Sequence, residues 1–257
     1  VKGGAMHLRE LSFNAPEGRF TSSLSIQPTG DKNADVKLDI STSNLFVNLA
    51  GIPRDKYSDM PHFDIEVHVS GSGSNLQEIA ATSNGYKSLK STGGLLEGVD
   101  LSVLDTFILD EVFSLIMPKT TETHNTQLTC AAAFLIIENG LVTTKPALAF
   151  TTDKITLVTN GTLDLKTEKL QFNFNAIPNK ALKVSAGELF NPFILVKGTL
   201  AKPAVGLDPG KTLIHGGAAL GTAGLSLLAK GLLDRVGNTR PLCEEMLKTS
   251  FEPGEND

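Results

Sequence analysis

The chain has 257 residues, 40% of them hydrophobic and 20% charged, which is enough apolar material for a large core and argues against wholesale disorder. Its 23 Lys and Arg against 28 Asp and Glu give a net charge of −5, so a general nucleic-acid binder, which needs a basic face, is disfavoured. With 2 cysteines and no Trp, the chain has no disulfide-dense scaffold, no four-thiolate zinc site and few residues for aromatic cages.

Apolar and polar residues alternate through much of the chain, which predicts β-strands with one apolar face. The alternation is clear at residues 36–40, 63–69 and 170–176. Turn sequences such as Gly30-Asp31 and Glu138-Asn139-Gly140 separate the runs at hairpin spacing. We therefore predict a mainly β (α+β) fold, in which a curved antiparallel sheet forms a β-groove with a covering helix and C-terminal helices.

Helical periodicity interrupts this pattern in four places. A capping sequence at Ser74 predicts a short helix, and Asp100 can cap a second helix over residues 100–117 that would cover part of the sheet. A Gly/Ala-rich helix is predicted over residues 212–236, followed by a tail helix over residues 241–248. We expect the Gly/Ala-rich helix to pack on the domain, and contact with a membrane surface is the alternative.

These elements predict three parts of the chain. Residues 1–60 supply N-terminal strands that continue a groove, and residues 61–205 form a β domain that includes the helix at 100–117. Residues 206–257 form the Gly/Ala-rich helical tail. The first residue is Val1 rather than Met, so we expect that an N-terminal signal or anchor precedes this chain.

Seven apolar residues on neighbouring predicted strands are candidates for the lining of the groove. Turns predicted at Asn160-Gly161 and Thr167-Glu168 would bring alternate residues of these strands onto one face. Such a face must be covered by a helix, a second sheet or a ligand, so an open lipid groove and a closed core both fit the alternation. The candidates are Ile155, Leu157, Leu163, Leu165, Leu170, Phe172 and Phe174.

No catalytic or metal-binding pattern stands out in the sequence. The segment from Gly206 to Thr212 resembles a phosphate-binding loop but is one residue too short to wrap a phosphate. The histidines at 62 and 68 would lie too far apart on a strand to share a metal ion. We therefore predict a protein that is not an enzyme and that needs no cofactor or metal.

The two cysteines allow two interpretations. Cys130 lies in a predicted strand and Cys243 in the predicted tail helix. In an oxidising compartment they could pair and attach the tail to the sheet, whereas in the cytosol they would be two buried thiols. The residues alone leave both interpretations open.

Four short motifs follow one another along the chain. They are residues 93–101 (GGLLEGVDL), 128–136 (LTCAAAFLI) before the Glu138-Asn139-Gly140 turn, 159–165 (TNGTLDL) with 170–172 (LQF), and 193–203 (FILVKGTLAKP). Together they resemble the C-terminal region of the AsmA family of Gram-negative cell-envelope proteins. The resemblance covers roughly residues 60–250, and it depends on the order and spacing of the motifs rather than on any one of them.

This resemblance implies a function in lipid transport. AsmA-like proteins are tethered to the inner membrane by an N-terminal segment, which would be absent from this chain, and project into the periplasm. They are grouped with TamB-like and bridge-like lipid-transfer proteins, so phospholipid acyl chains are the implied ligand and outer-membrane biogenesis the implied process. The periplasm in turn favours the Cys130–Cys243 disulfide. The alternative is a structural or chaperone-like domain in outer-membrane protein biogenesis, without a bound ligand.

Overall fold

One antiparallel β-sheet dominates the computed structural model of this chain. The structure describes residues 4–15, 18–30, 32–46, 59–96, 126–153, 155–178, 193–207 and 242–248. Strands make up 74% of these residues, and the sheet has 12 strands. The predicted mainly β fold with an antiparallel sheet is therefore confirmed.

The strands follow one another along the sheet almost strictly in chain order. The order is β1-β2-β3-β4-β5-β7-β8-β9-β10-β11-β12, and β6 continues the line of β5 along the edge of β7. Each pair is antiparallel, as in an extended meander. The strands are β1 (Met6–Ala15), β2 (Gly18–Pro28), β3 (Ala34–Leu45), β4 (Phe63–Gly73), β5 (Asn84–Ser91), β6 (Gly94–Leu96), β7 (Thr126–Glu138), β8 (Leu141–Thr152), β9 (Ile155–Asp164), β10 (Lys169–Pro178), β11 (Phe193–Thr199) and β12 (Lys202–Leu207).

Local turn chemistry explains the regular meander. Between β7 and β8, Asn139 and Gly140 have φ angles of 49° and 78°, the left-handed conformation that a tight hairpin turn requires. Between β9 and β10, the Asp164 carboxylate accepts hydrogen bonds from the backbone N–H groups of Lys166 and Thr167, at 2.8 and 3.2 Å. Both hairpins lie where the sequence predicts them.

The hairpin turn predicted at Asn160-Gly161 is wrong, because β9 continues through it without interruption. Close packing explains the glycine, since a Cβ at Gly161 would lie 2.6 Å from Cδ1 of Phe172. Here β8 leaves the regular register, and the Gly161 N–H donates to Oγ1 of Thr144 at 3.0 Å. The Asn160-Gly161 pair therefore lies at an irregularity of strand pairing inside the sheet and not at a turn between two strands.

Two short helices accompany the sheet within the described residues. Helix α1 (Leu76–Ala81) follows β4, and its cap is Asn75, whose side chain accepts the Glu78 N–H at 3.0 Å. Helix α2 (Leu242–Lys248) matches the predicted tail helix and packs on β7 and β8. Its Cys243 and Met246 are buried against Cys130, Ala132 and Ala149. Small residues on the sheet allow this close approach of the helix.

A disulfide joins α2 to the sheet. It links Cys130 of β7 to Cys243, with 6.0 Å between the two Cα atoms and a sequence separation of 113 residues. Both cysteine side chains are completely buried. The link therefore attaches the far end of the chain to the middle of the sheet.

On β8, one buried hydroxyl allows a stability test. Oγ1 of Thr151 is buried and has no hydrogen-bond partner among the described residues, whereas Oγ1 of Thr144 accepts the Gly161 N–H. We expect Thr151→Val to raise the free energy of unfolding by about 1 kcal/mol, because it removes an unsatisfied polar group. Thr144→Val is the matched control and should lower it by about 1–2 kcal/mol. Urea unfolding measures both, and equal losses in the two variants would contradict the assignment.

Several predictions fall on parts of the chain that the structure does not describe. The helices predicted at 100–117 and 212–236 lie outside the described residues. The sheet itself crosses the predicted boundary at residue 60, since β3 and β4 pair over almost their full length. Within the described ranges, no helix is long and apolar enough to cross a membrane.

Candidate functional site

One face of the sheet is apolar from the first strand to the last. Residues that are opposite each other in an antiparallel ladder point to the same side, so the strand registers assign each side chain to a face. We call this side the apolar face and the other side the polar face. On β1–β5 the apolar face carries Met6, Leu8, Leu11, Phe13, Phe20, Leu24, Ile26, Val36, Leu38, Ile40, Ile65, Val67, Val69 and Leu89. On β7–β12 it carries Ala133, Leu135, Ile137, Val142, Leu148, Phe150, Leu157, Leu163, Leu170, Phe172, Phe174, Ile194, Val196 and Val205.

The apolar face is open to solvent at its N-terminal end. Met6, Leu8, Leu11 and Phe13 of β1 have exposed fractions of 38–50%, and Phe13 stacks on Phe20 with 5.0 Å between ring centroids. The apolar side chains of β2, β3 and β4 are half-buried. We call the apolar face of β1–β5 the open part. A contiguous exposed apolar surface of this kind is typical of a binding site.

The same face is filled at its C-terminal end. Leu157, Leu170, Phe174, Ile194 and Val196 form a buried cluster with exposed fractions of 0–8%. Partly buried side chains complete the cluster, and they are Phe150, Leu163, Phe172 and Val205. We call this group the filled cluster. It closes the face over β8–β12 by side-chain packing within the chain.

The seven predicted lining residues fall mainly in the filled cluster. It contains Leu157, Leu163, Leu170, Phe172 and Phe174, so the structure brings five of the seven together. Ile155 pairs with Pro178 in the backbone ladder, and its side chain lies outside what the structure describes. Leu165 is half-buried and follows the end of β9 in the turn, where its N–H donates to the Gly140 carbonyl at 2.8 Å. No lipid contact of these seven residues is established, and their role as a lining stays a prediction.

The polar face of β1–β5 carries a row of interacting side chains across four strands. Asp39 of β3 accepts from Ser23 of β2 at 3.1 Å and from Nδ1 of His68 at 2.8 Å. The His68 ring packs on Tyr86 of β5 with 4.6 Å between centroids. Burial acts to raise the pKa of Asp39, but the hydrogen bonds from His68 and Ser23, together with nearby Lys37, outweigh it and hold the pKa below its ordinary value.

This row predicts an acid-sensitive contribution to stability. Because the pKa of Asp39 is lowered in the folded protein, its carboxylate stabilises the fold above about pH 4 and ceases to do so as pH falls further. We expect Asp39→Asn to lower the melting temperature at pH 7 and to flatten its fall between about pH 5 and pH 2. Thermal melts over this range measure the effect. The prediction is contradicted if the melting temperature of Asp39→Asn falls as steeply with falling pH as that of the parent.

Comparisons with known proteins add no relative. No protein-family model, curated protein or solved structure matches the chain. Within the described ranges, no group of three or more His, Cys, Asp or Glu side chains could hold a metal ion.

Sequence reasoning assigned residues 1–60 to strands that continue the groove, but it named none of the exposed apolar residues of β1. The reason is a register shift in β1 between Leu8 and Leu11, which breaks the alternation at Arg9 and Glu10. Either side of this bulge, Met6 and Leu8 share a face with Leu11 and Phe13. Two short alternating pairs offset by one residue are the signal that could have revealed this strand.

Proposed function

We propose that this chain is a non-enzymatic lipid-handling module of the cell envelope, in which the open part of the apolar face holds phospholipid acyl chains. The observation that carries the proposal is the apolar face, which extends across the described strands from β1 to β12 while the opposite face of β1–β5 is polar. An acyl chain needs continuous apolar area and few directed bonds. The open part offers such area on five adjacent strands.

The cellular setting is part of the same proposal. The motifs that resemble the AsmA family support a periplasmic protein that acts in phospholipid transport between the inner and outer membranes and in outer-membrane assembly. The disulfide between Cys130 and Cys243 supports an oxidising compartment. In this setting the chain supplies one stretch of a longer apolar path.

A second candidate function is a structural or chaperone-like domain in outer-membrane protein biogenesis. The filled cluster favours it, because packing within the chain already covers the apolar face over β8–β12. The two candidates differ in what they require of β1. A lipid module requires exposed apolar side chains on β1 to contact the acyl chains, whereas a ligand-free domain does not require them.

Transfer of a fluorescent phospholipid between donor and acceptor vesicles tests the proposal. We expect the purified chain to accelerate transfer and Leu8→Asp to abolish the acceleration, since Leu8 is 38% exposed on the apolar face. Ser12→Asp is the matched control, because Ser12 is exposed on the polar face of the same strand. Failure of the parent to accelerate transfer, or equal loss in both variants, would reject the proposal.

A further inference from the structure

One charged side chain lies within the open part of the apolar face. Lys87 of β5 is opposite Val67 of β4 on one side and Leu135 of β7 on the other. Both partners belong to the apolar face. Among the charged residues of the described strands that have a partner on each side, no other lies between two aliphatic ones. The position is therefore an exception to the pattern of the whole sheet.

The surroundings of Lys87 leave its charge available. Its side chain is exposed, while Val67 and Leu135 are half-buried. It makes no ion pair with any described residue. Gly85, two residues earlier on the same face, offers no side chain to pair with Lys87, and its backbone lies so close to the His68 carbonyl that a Cβ there would clash.

We propose that Lys87 binds the anionic phosphate headgroup of a phospholipid whose acyl chains lie on the open part. This inference rests on the proposed function and names the class of lipid. An ammonium group is a compact point charge that suits a phosphate, and its attraction is stronger beside apolar surface than in bulk water. The ordinary alternative is a lysine whose stem covers apolar surface while its charge stays in water. That alternative predicts no preference among headgroups.

The test measures headgroup preference with the full chain. The protein is incubated with phosphatidylglycerol or phosphatidylcholine vesicles of identical acyl chains and re-isolated, and its bound lipid is quantified by mass spectrometry. We expect the parent to take up about five- to tenfold more phosphatidylglycerol, because the choline cation of phosphatidylcholine offsets its phosphate charge and a net charge interaction of about 1 kcal/mol separates the two lipids. Lys87→Met should abolish this preference while retaining phosphatidylcholine. Lys197→Met, on an exposed polar-face position of β11, should keep it.

The outcomes separate the inference from the proposed function. The role of Lys87 is overturned if the parent binds both lipids equally, or if the preference for phosphatidylglycerol survives in Lys87→Met. Either result leaves lipid binding itself intact. Absence of bound lipid from the parent would overturn the proposed function itself. Because Met retains an apolar stem, Lys87→Met should melt like the parent, and this melt confirms that lost preference does not reflect lost folding.

Discussion

We expect Phe174→Asp to unfold the chain and Phe13→Asp to leave it folded. Both residues lie on the apolar face, but Phe174 is 8% exposed in the filled cluster and Phe13 is 50% exposed on β1. A carboxylate at 174 would be buried without a partner, and with the lost packing this costs at least about 4 kcal/mol, a large part of the stability of a typical domain. At 13 the charge stays hydrated, and the loss of stacking on Phe20 costs about 1 kcal/mol.

Thermal melts followed by circular dichroism measure both variants, and co-purified lipid is quantified in parallel. We expect Phe13→Asp to melt within a few degrees of the parent and to lose bound lipid. Phe174→Ala is the control for packing alone and should be destabilised less than Phe174→Asp. A folded Phe174→Asp that has lost its lipid would instead place the acyl chains at the filled cluster, among the residues that the sequence offered as candidates for the groove lining.

Removal of the disulfide should cause the second large effect. With a sequence separation of 113 between Cys130 and Cys243, the chain-entropy model gives about 5 kcal/mol of stabilisation. We expect the double variant Cys130→Ala/Cys243→Ala to lose most of this free energy of unfolding, because α2 would then be held only by packing of residues such as Met246. Urea unfolding under non-reducing conditions measures the difference.

Two measurements complete this prediction. Alkylation of the parent in denaturant without a reductant should modify neither cysteine, as expected for a disulfide. Addition of a reductant in denaturant should then expose two reactive thiols. Two thiols modified without reductant, or equal unfolding free energies for the parent and the double variant, would contradict the prediction.

The sheet could be predicted from the sequence because its signals are local. The alternation at residues 36–40 and 63–69 identifies β3 and β4. Asn139-Gly140 identifies the hairpin turn between β7 and β8, because Asn and Gly favour the left-handed conformation that such a turn requires. The same turn rule failed at Asn160-Gly161. The glycine is needed there because its N–H bonds the hydroxyl of Thr144 and because the ring of Phe172 leaves no room for a Cβ, and both residues lie on neighbouring strands. A local motif cannot reveal partners that only the register brings together.

The division of the apolar face into an open part and a filled cluster was not predictable for the same reason. Leu170 and Phe174 alternate with polar residues just as Leu38 and Ile40 do. The structure buries the former pair in one cluster with Ile194 and Val196 of β11, whereas it leaves the latter pair half-buried. Burial on each strand thus depends on neighbours that are distant in the chain. The position of Lys87 on the apolar face likewise becomes visible only when the strand registers place it between Val67 and Leu135.

Photo-crosslinking at Phe13 and Asn14 tests most directly whether the open part holds lipid. These neighbours point to opposite faces of β1, Phe13 to the apolar face and Asn14 to the polar face, and both are exposed. A photoreactive benzophenone side chain placed at either position, in chain incubated with phospholipid vesicles and re-isolated, reports which face contacts the acyl chains. We predict a covalent lipid adduct at position 13 and none at position 14. Adducts of equal yield at both positions, or none at 13 while lipid is bound, would contradict the assignment of the open part as the acyl-chain site.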